Sequence, residues 1–184
     1  MSPDELESLI HRRASGMTID RERPVDDDVV SRIVRSGIAA PNHRKTRPLR
    51  VAVLRGDARL RFGDAVADVM ASRGEEDHKV DKTRTKYGRA PVVLVVAAAE
   101  GATTLETDEN RYTVAAGIQN MLLMLESFGF TALWSTPATG ANAAMCEFCS
   151  FDPTDHVMGV VYFGWPTREA PVRDRPEPVV SWLD

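Results

Sequence analysis

The chain has 184 residues, 43% of them hydrophobic and 27% charged, with a formal net charge of -4. That length supports one domain with a sizeable core, and that composition excludes an intrinsically disordered chain. The acidic balance argues against bulk nucleic-acid binding, which needs a basic face to replace phosphate counterions, and no run approaches the roughly 20 apolar residues of a membrane span.

Residues 4–14 read as a first helix, with Leu6, Leu9, Ile10 and Arg13 at helical spacing and Ser2 or Asp4 placed to cap it. A loop, RERPVDDD, leads into a second helix over 26–38, whose apolar stripe is Val29, Val30, Ile33 and Val34. Gly37 and Pro41 bracket its end, because a proline disfavours helix in the residue before it. Residues 49–54 (LRVAVL) are short and β-rich, a strand. Residues 57–70 read as a helix with Leu60, Phe62, Ala65, Val66 and Val69 inward. The charged stretch 72–89 reads as a mobile, solvated excursion, with a partly helical segment as the alternative.

The apolar run 91–99 (PVVLVVAAA) is what a strand covered on both faces requires. Residues 111–128 are apolar nearly all round a helical wheel, which predicts a buried helix ended by Gly129. A strand over 130–134, a helix over 142–148 and a strand over 157–163 follow. The tail APVRDRPEPVVSWLD is proline-rich and then strand-like, suited to pairing with another chain. The expected class is α+β, a mixed central sheet flanked by helices, forming a single domain over 1–184. The acidic start MSPDELESLI is unlike a secretory signal. Two cysteines are no disulfide framework, so the cytoplasm is the expected location.

Three clusters carry donor chemistry. His11, Arg12, Arg13, Ala14 and Ser15 end the first helix, and guanidinium forks match phosphate oxygens; a solvated basic helix end is the plainer alternative. Ala39, Ala40, Pro41, Asn42 and His43 follow the second helix, where small residues admit a flat ligand and polar groups sit at a turn; a helix stop with a surface histidine is the alternative. Trp134, Ser135, Thr136 and Pro137 place an indole beside two hydroxyls; a core tryptophan before a turn is the alternative.

The order and spacing of HRRAS, GIAAPNH, AAGIQNMLLM, GFTALWST and a late GWP resemble the nitroreductase family, in particular its small single-domain bacterial members, over nearly the whole chain. The resemblance implies an FMN-dependent oxidoreductase, a domain-embraced homodimer with two FMN sites at its interface. It implies that Arg12, Arg13 and Ala14 hold the FMN phosphate and ribityl chain. It places Ala39 and His43 beside the ring from the other subunit, with Trp134, Ser135 and Thr136 reaching the same flavin. The tail, about 170–184, would embrace the partner. Departures are Ala14 for the usual serine, Gly16 and Met17 where a third arginine is common, Ala39 where many members carry arginine, and Leu49 for an aromatic. Arg168 or Arg173 is the candidate to restore phosphate charge.

There is no G-x-G-x-x-G after an expected strand, so NAD(P)H would dock transiently over the flavin rather than in a Rossmann site. The implied chemistry passes hydride from NAD(P)H through flavin to a nitro compound, quinone or similar small-molecule acceptor. No catalytic acid or base stands out, and no residue chooses NADPH over NADH. A non-turnover flavin- or nucleotide-binding protein on the same fold, a deazaflavin-using member and a structural α/β interaction domain are the rivals. Cys146 and Cys149 fall within a short helix and read as buried or incidental thiols; His78 reads as part of a solvated charge run rather than a metal site.

Overall fold

The computed structural model describes residues 2–169 and 174–183. Helices α1 (Pro3–Arg12) and α2 (Asp27–Gly37) precede strand β1 (Leu49–Leu54). Next come α3 (Ala58–Ser72), α4 (Asp77–Lys86), β2 (Val92–Ala98), α5 (Thr104–Ser127), β3 (Thr131–Ser135), α6 (Asn142–Cys149) and β4 (His156–Gly164). The α+β class is as expected, and the strands form one four-stranded sheet in the order β1-β2-β4-β3. Each of its ladders is antiparallel. The sheet is thus antiparallel rather than mixed, and the parallel pairing is confined to an isolated bridge between Ser15 and Ala132, outside the named strands.

The apolar run in β2 splits by parity. Val92, Leu94, Val96 and Ala98 join the core with α2 and α5, whereas Val93, Val95 and Ala97 join the core with α3 and α6. Both sets are buried, so the strand is continuous in hydrophobicity while its side chains still alternate. The β2–β4 register slips between Val96 and Ala97, leaving Met158 unpaired. That bulge lets Val157 and Val160 reach the same core despite their odd spacing.

The charged stretch 72–89 is a correction. It forms α4 and a 3-10 turn at Tyr87–Arg89, and Val80, Thr83 and Tyr87 are buried. Their spacing puts one narrow apolar stripe on an otherwise charged surface. The Tyr87 ring meets Phe62 edge-on at 4.7 Å and stacks on Tyr162 at 5.9 Å.

Helix α5 begins earlier than the apolar pattern indicates. Thr103 caps it by accepting the Glu106 amide, and the Glu106 carboxylate accepts the Ala102 N–H. Its C-terminal stop at Gly129 is as expected, with φ at 79° and its N–H on the Glu126 carbonyl. Val114, Ile118, Met121 and Leu125 face the sheet and are buried. The opposite face is not covered by the described residues: Leu105, Tyr112, Ala116 and Gln119 are exposed, at spacings of seven, four and three residues. The expectation of burial all round is therefore met on one side of α5 within a single chain.

Candidate functional site

The first cluster sits where α1 ends. Helix α1 is opened by a capping box between Ser2 and Glu5 and closes at Arg13, whose N–H reaches the Leu9 carbonyl. Ala14 is buried, and Gly16 donates to the Ala132 carbonyl at 2.9 Å, which fixes the segment against β3. Arg12 engages Glu126 of α5 through its Nε edge at 3.3 Å, and Arg13 reaches the Ser15 hydroxyl at 3.4 Å. A third guanidinium arrives from the tail. Arg175 donates from Nε to the His11 carbonyl at 3.2 Å and from Nη2 to the Arg13 carbonyl at 2.7 Å, satisfying helix-end acceptors.

The third cluster is close to the first, because Trp134 is two residues along β3 from Ala132. The indole N–H donates to the carbonyl of Met158, the bulge residue, at 3.3 Å, and the ring is 37% exposed. It lies over Gly159, where a Cβ would overlap the indole. Ser135 turns its hydroxyl to the Thr136 carbonyl, and Thr136 is exposed.

The second cluster is elsewhere. Part of the segment after α2 borders a cavity of about 300 Å³ lined by Gly37, Ile38, Ala40, Asn42, Arg47 and Leu49, among others. Gly117 lets α2 approach α5 here, since a Cβ would lie 2.7 Å from the Gly37 carbonyl. Ala39 and His43 are exposed and are not among the residues lining the cavity, and Ile38, which lines it, is 71% exposed. Arg44, Lys45 and Arg47 all take left-handed backbone, with φ of 55°, 57° and 52°. Outside glycine, each such residue costs of order 1–3 kcal/mol and persists where its surroundings dictate it. The surroundings are polar. Asn42 accepts the Arg47 N–H and donates to the Thr46 hydroxyl, Thr46 donates to buried Asn110, and Asn110 donates to the Ala99 carbonyl.

The two regions lie toward opposite ends of α5. His43 is 3.9 Å from Glu109 and Arg12 is 3.3 Å from Glu126, which separates the two anchoring carboxylates by about 25 Å of helix. One chain thus brings Arg12, Arg13 and Ala14 near Trp134, Ser135 and Thr136, and leaves Ala39 and His43 remote from them.

The nitroreductase family model matches residues 10–165. This chain belongs to the nitroreductase family. It is 27% identical over 168 residues to the Escherichia coli (strain K12) protein named "Putative NAD(P)H nitroreductase YdjA", with 91% of each chain covered. Among solved structures it superposes on a nitroreductase-like family protein from Bacillus cereus with a TM-score of 0.79 at 21% identity, covering 96% of this chain and 94% of that one. A nitroreductase with bound FMN from Bacteroides fragilis gives 0.74 at 17% identity, covering 98% and 99%.

Against this nitroreductase frame, sequence reasoning missed three things. Arg47 and Thr113 line the cavity, although neither sits in a recognisable motif. The Thr46–Asn110 bond crosses sixty-four positions, a separation no local pattern signals. Arg175, which no motif marks, reaches the first cluster from the tail, whereas of the arginines expected to restore phosphate charge Arg168 is exposed and Arg173 lies outside the described residues.

The cysteines are as expected, free thiols within α6. Burial pushes the Cys149 thiol up to about 12, and burial together with nearby Asp155 raises Cys146. His78 is exposed and 3.4 Å from Glu76. Among the described residues no cluster of His, Cys, Asp or Glu is arranged to hold a metal ion, and no helix is long and apolar enough to cross a membrane.

Proposed function

We propose that this chain is an NAD(P)H-dependent flavin oxidoreductase working as a homodimer, with each FMN held at the seam between two copies. The carrying observation is the separation just described. Arg12 and Arg13 stand at one end of α5 and the cavity at the other, while the outer face of α5 is uncovered between them. A two-fold axis across that face, with the two α5 helices antiparallel, sets the arginine end of one copy beside the cavity of the other. Exposed Leu105, Tyr112 and Ile38 supply the apolar contact.

The residues present fit FMN. Guanidiniums at Arg12 and Arg13 match a phosphate in geometry and charge. A largely apolar cavity with Asn42, Arg47 and Thr113 in its wall suits a flat ring with a polar edge. The chemistry FMN supplies when bound is acceptance of hydride from NAD(P)H and its delivery to an electron-poor small molecule such as a nitro compound or quinone. In this proposal Arg12, Arg13 and the buried backbone at Ala14 bind the phosphate and ribityl chain. Ala39 and His43 of the second copy border the ring, the small side chain admitting close approach. Trp134, fixed through Met158, positions Ser135 and Thr136 along the ring's polar edge. Ile38, Pro48 and Leu49 exclude water from the reacting face. No side chain is assigned a proton-transfer step.

The whole chain acts as one domain in this reading, and the tail packs on the second copy. Described residues 174–183 are exposed and have no ladder partner within the chain, and Val179, Trp182 and Leu183 present apolar surface; residues 170–173 and 184 lie outside the described residues. A cytoplasmic location accompanies this reading.

The test is the spectrum of the purified protein. A flavin band that bleaches anaerobically with NADPH or NADH supports the proposal. Bound flavin that no nicotinamide reduces would favour the non-turnover alternative, a bound deazaflavin the other, and no flavin after reconstitution would overturn it.

A further inference from the structure

We infer that the loop from His43 to Arg47 reads the 2′-phosphate of the reductant and makes NADPH the preferred donor. The inference rests on the proposed function, since it concerns the same cavity.

Basic charge is concentrated at this loop in a chain whose net charge is -4. Arg44, Lys45 and Arg47 follow one another within four residues, and Arg50 stands just beyond on β1. Arg50 is partly neutralised, at 3.8 Å from buried Asp155. The loop's contact with an acid is His43 to Glu109, whereas Arg44, Lys45 and Arg47 make no ion pair with any described residue. Arg47 lines the cavity, so the unneutralised group is continuous with the cavity mouth.

The backbone holds it there. Three basic residues in left-handed conformation are pinned through Asn42, Thr46 and Asn110 to the end of β2, so the loop is fixed by these polar groups rather than by its basic side chains. A strained, anchored display of unpaired cations beside a cavity is a pattern that belongs to ligand recognition.

A nicotinamide ring docked over a flavin held in this cavity must leave the rest of its dinucleotide outside. The basic run reaches the cavity through Arg47, which lines it, with Lys45 and Arg44 two and three residues before. NADH and NADPH differ there by one phosphate monoester, which carries about two negative charges near neutral pH and accepts several charge-assisted hydrogen bonds. The loop therefore discriminates between the donors, while both deliver hydride in the same way.

The test is Arg44→Asn combined with Lys45→Asn, because asparagine tolerates the left-handed backbone and leaves the loop's shape intact. In the FMN-loaded protein, kcat/KM for NADPH should fall about 10- to 100-fold, that for NADH should stay within about twofold, and FMN affinity should not change. Calorimetric binding of 2′,5′-ADP should weaken by the same factor, with 5′-AMP unaffected; this arm reads the loop whether or not flavin loads. Raised salt should lower the parent's NADPH preference. Equal use of NADH and NADPH by the parent, or 2′,5′-ADP binding that survives the double substitution, would overturn the inference. So would a loss of FMN affinity in the variant, which would show that the loop holds the flavin's own phosphate. A parent that binds 2′,5′-ADP through the loop but never loads flavin would instead overturn the proposed function.

Discussion

The two faces of the sheet carry similar apolar content and are finished in different ways. On one face α3, α4 and α6 close over Phe62, Val66, Met145 and Tyr87, and none of these side chains is accessible to any useful extent. On the other, α2 and α5 bury Ile33, Ile118, Met121 and Leu125 but turn Ile38, Leu105 and Tyr112 outward. The first face is completed by the chain itself. The second leaves apolar surface exposed, and the same helix that builds its core also presents the surface that the proposed second copy would cover. Apolar residues on a helix report that they will be buried, not by which molecule.

The largest expected effect separates the faces. Phe62→Ala removes a ring that meets Tyr87 and Phe148 edge-on and should cost about 3–5 kcal/mol in urea unfolding, leaving FMN affinity unchanged in the protein that remains folded. A loss of flavin affinity in that variant would show that the closed face serves the site after all. The converse substitution is Ala116→Glu on the exposed stripe of α5. It should weaken dimerisation at least ~100-fold by sedimentation equilibrium, because a carboxylate would be buried unpaired at the seam, with little change in far-ultraviolet dichroism.

Smaller effects sharpen the open face. Arg13→Ala removes the guanidinium that the proposed function assigns to the phosphate and should raise the FMN dissociation constant about 10- to 100-fold by fluorescence titration. Thr46→Val leaves buried Asn110 short of a donor. It should cost about 1–3 kcal/mol and speed amide exchange across residues 42–47.

The smallest effect is on the closed face. With Cys149 pushed up to about 12 and Cys146 also raised, both thiols are protonated near neutral pH, and iodoacetamide should label native protein slowly there. Folding favours the protonated thiol, so its contribution to stability is present below the ordinary thiol range and is lost as the pH climbs toward 12; labelling should speed over the same window.

The legible parts of the sequence were those where one interaction dominates. VVLVVAA announces a strand buried on both faces, and the stripe of Val30 and Ile33 announces α2. The cap at Thr103, a threonine followed three residues later by Glu106, went unread because the apolar pattern further along pulled the expected start of α5 downstream. The stretch 72–89 hid its structure because Val80, Thr83 and Tyr87 are outnumbered by charges, and their partners, Phe62 and Tyr162, are distant in the chain.

At the candidate site, Arg12, Arg13, His43 and Trp134 stood out as residue types, and their order carried the family resemblance. Their distribution between two ends of α5 was invisible to sequence, since it depends on how α1 and α2 pack along one helix. Arg175 was missed for a similar reason, as its partners are backbone carbonyls, which have no sequence signature.

The central claim is that each flavin site takes its arginines from one copy and its cavity from the other. Heterodimers test it directly. One subunit carries Arg12→Ala with Arg13→Ala, the other Ala39→Gln with His43→Ala, and differently tagged chains are co-expressed and purified through both tags. Each homodimer of variants should fail to hold FMN. If the site is shared, the heterodimer contains one seam with both halves intact and should bind about one FMN per dimer. If every site lies within a single chain, each chain in the heterodimer is still damaged, and binding no better than in the variant homodimers would contradict the account.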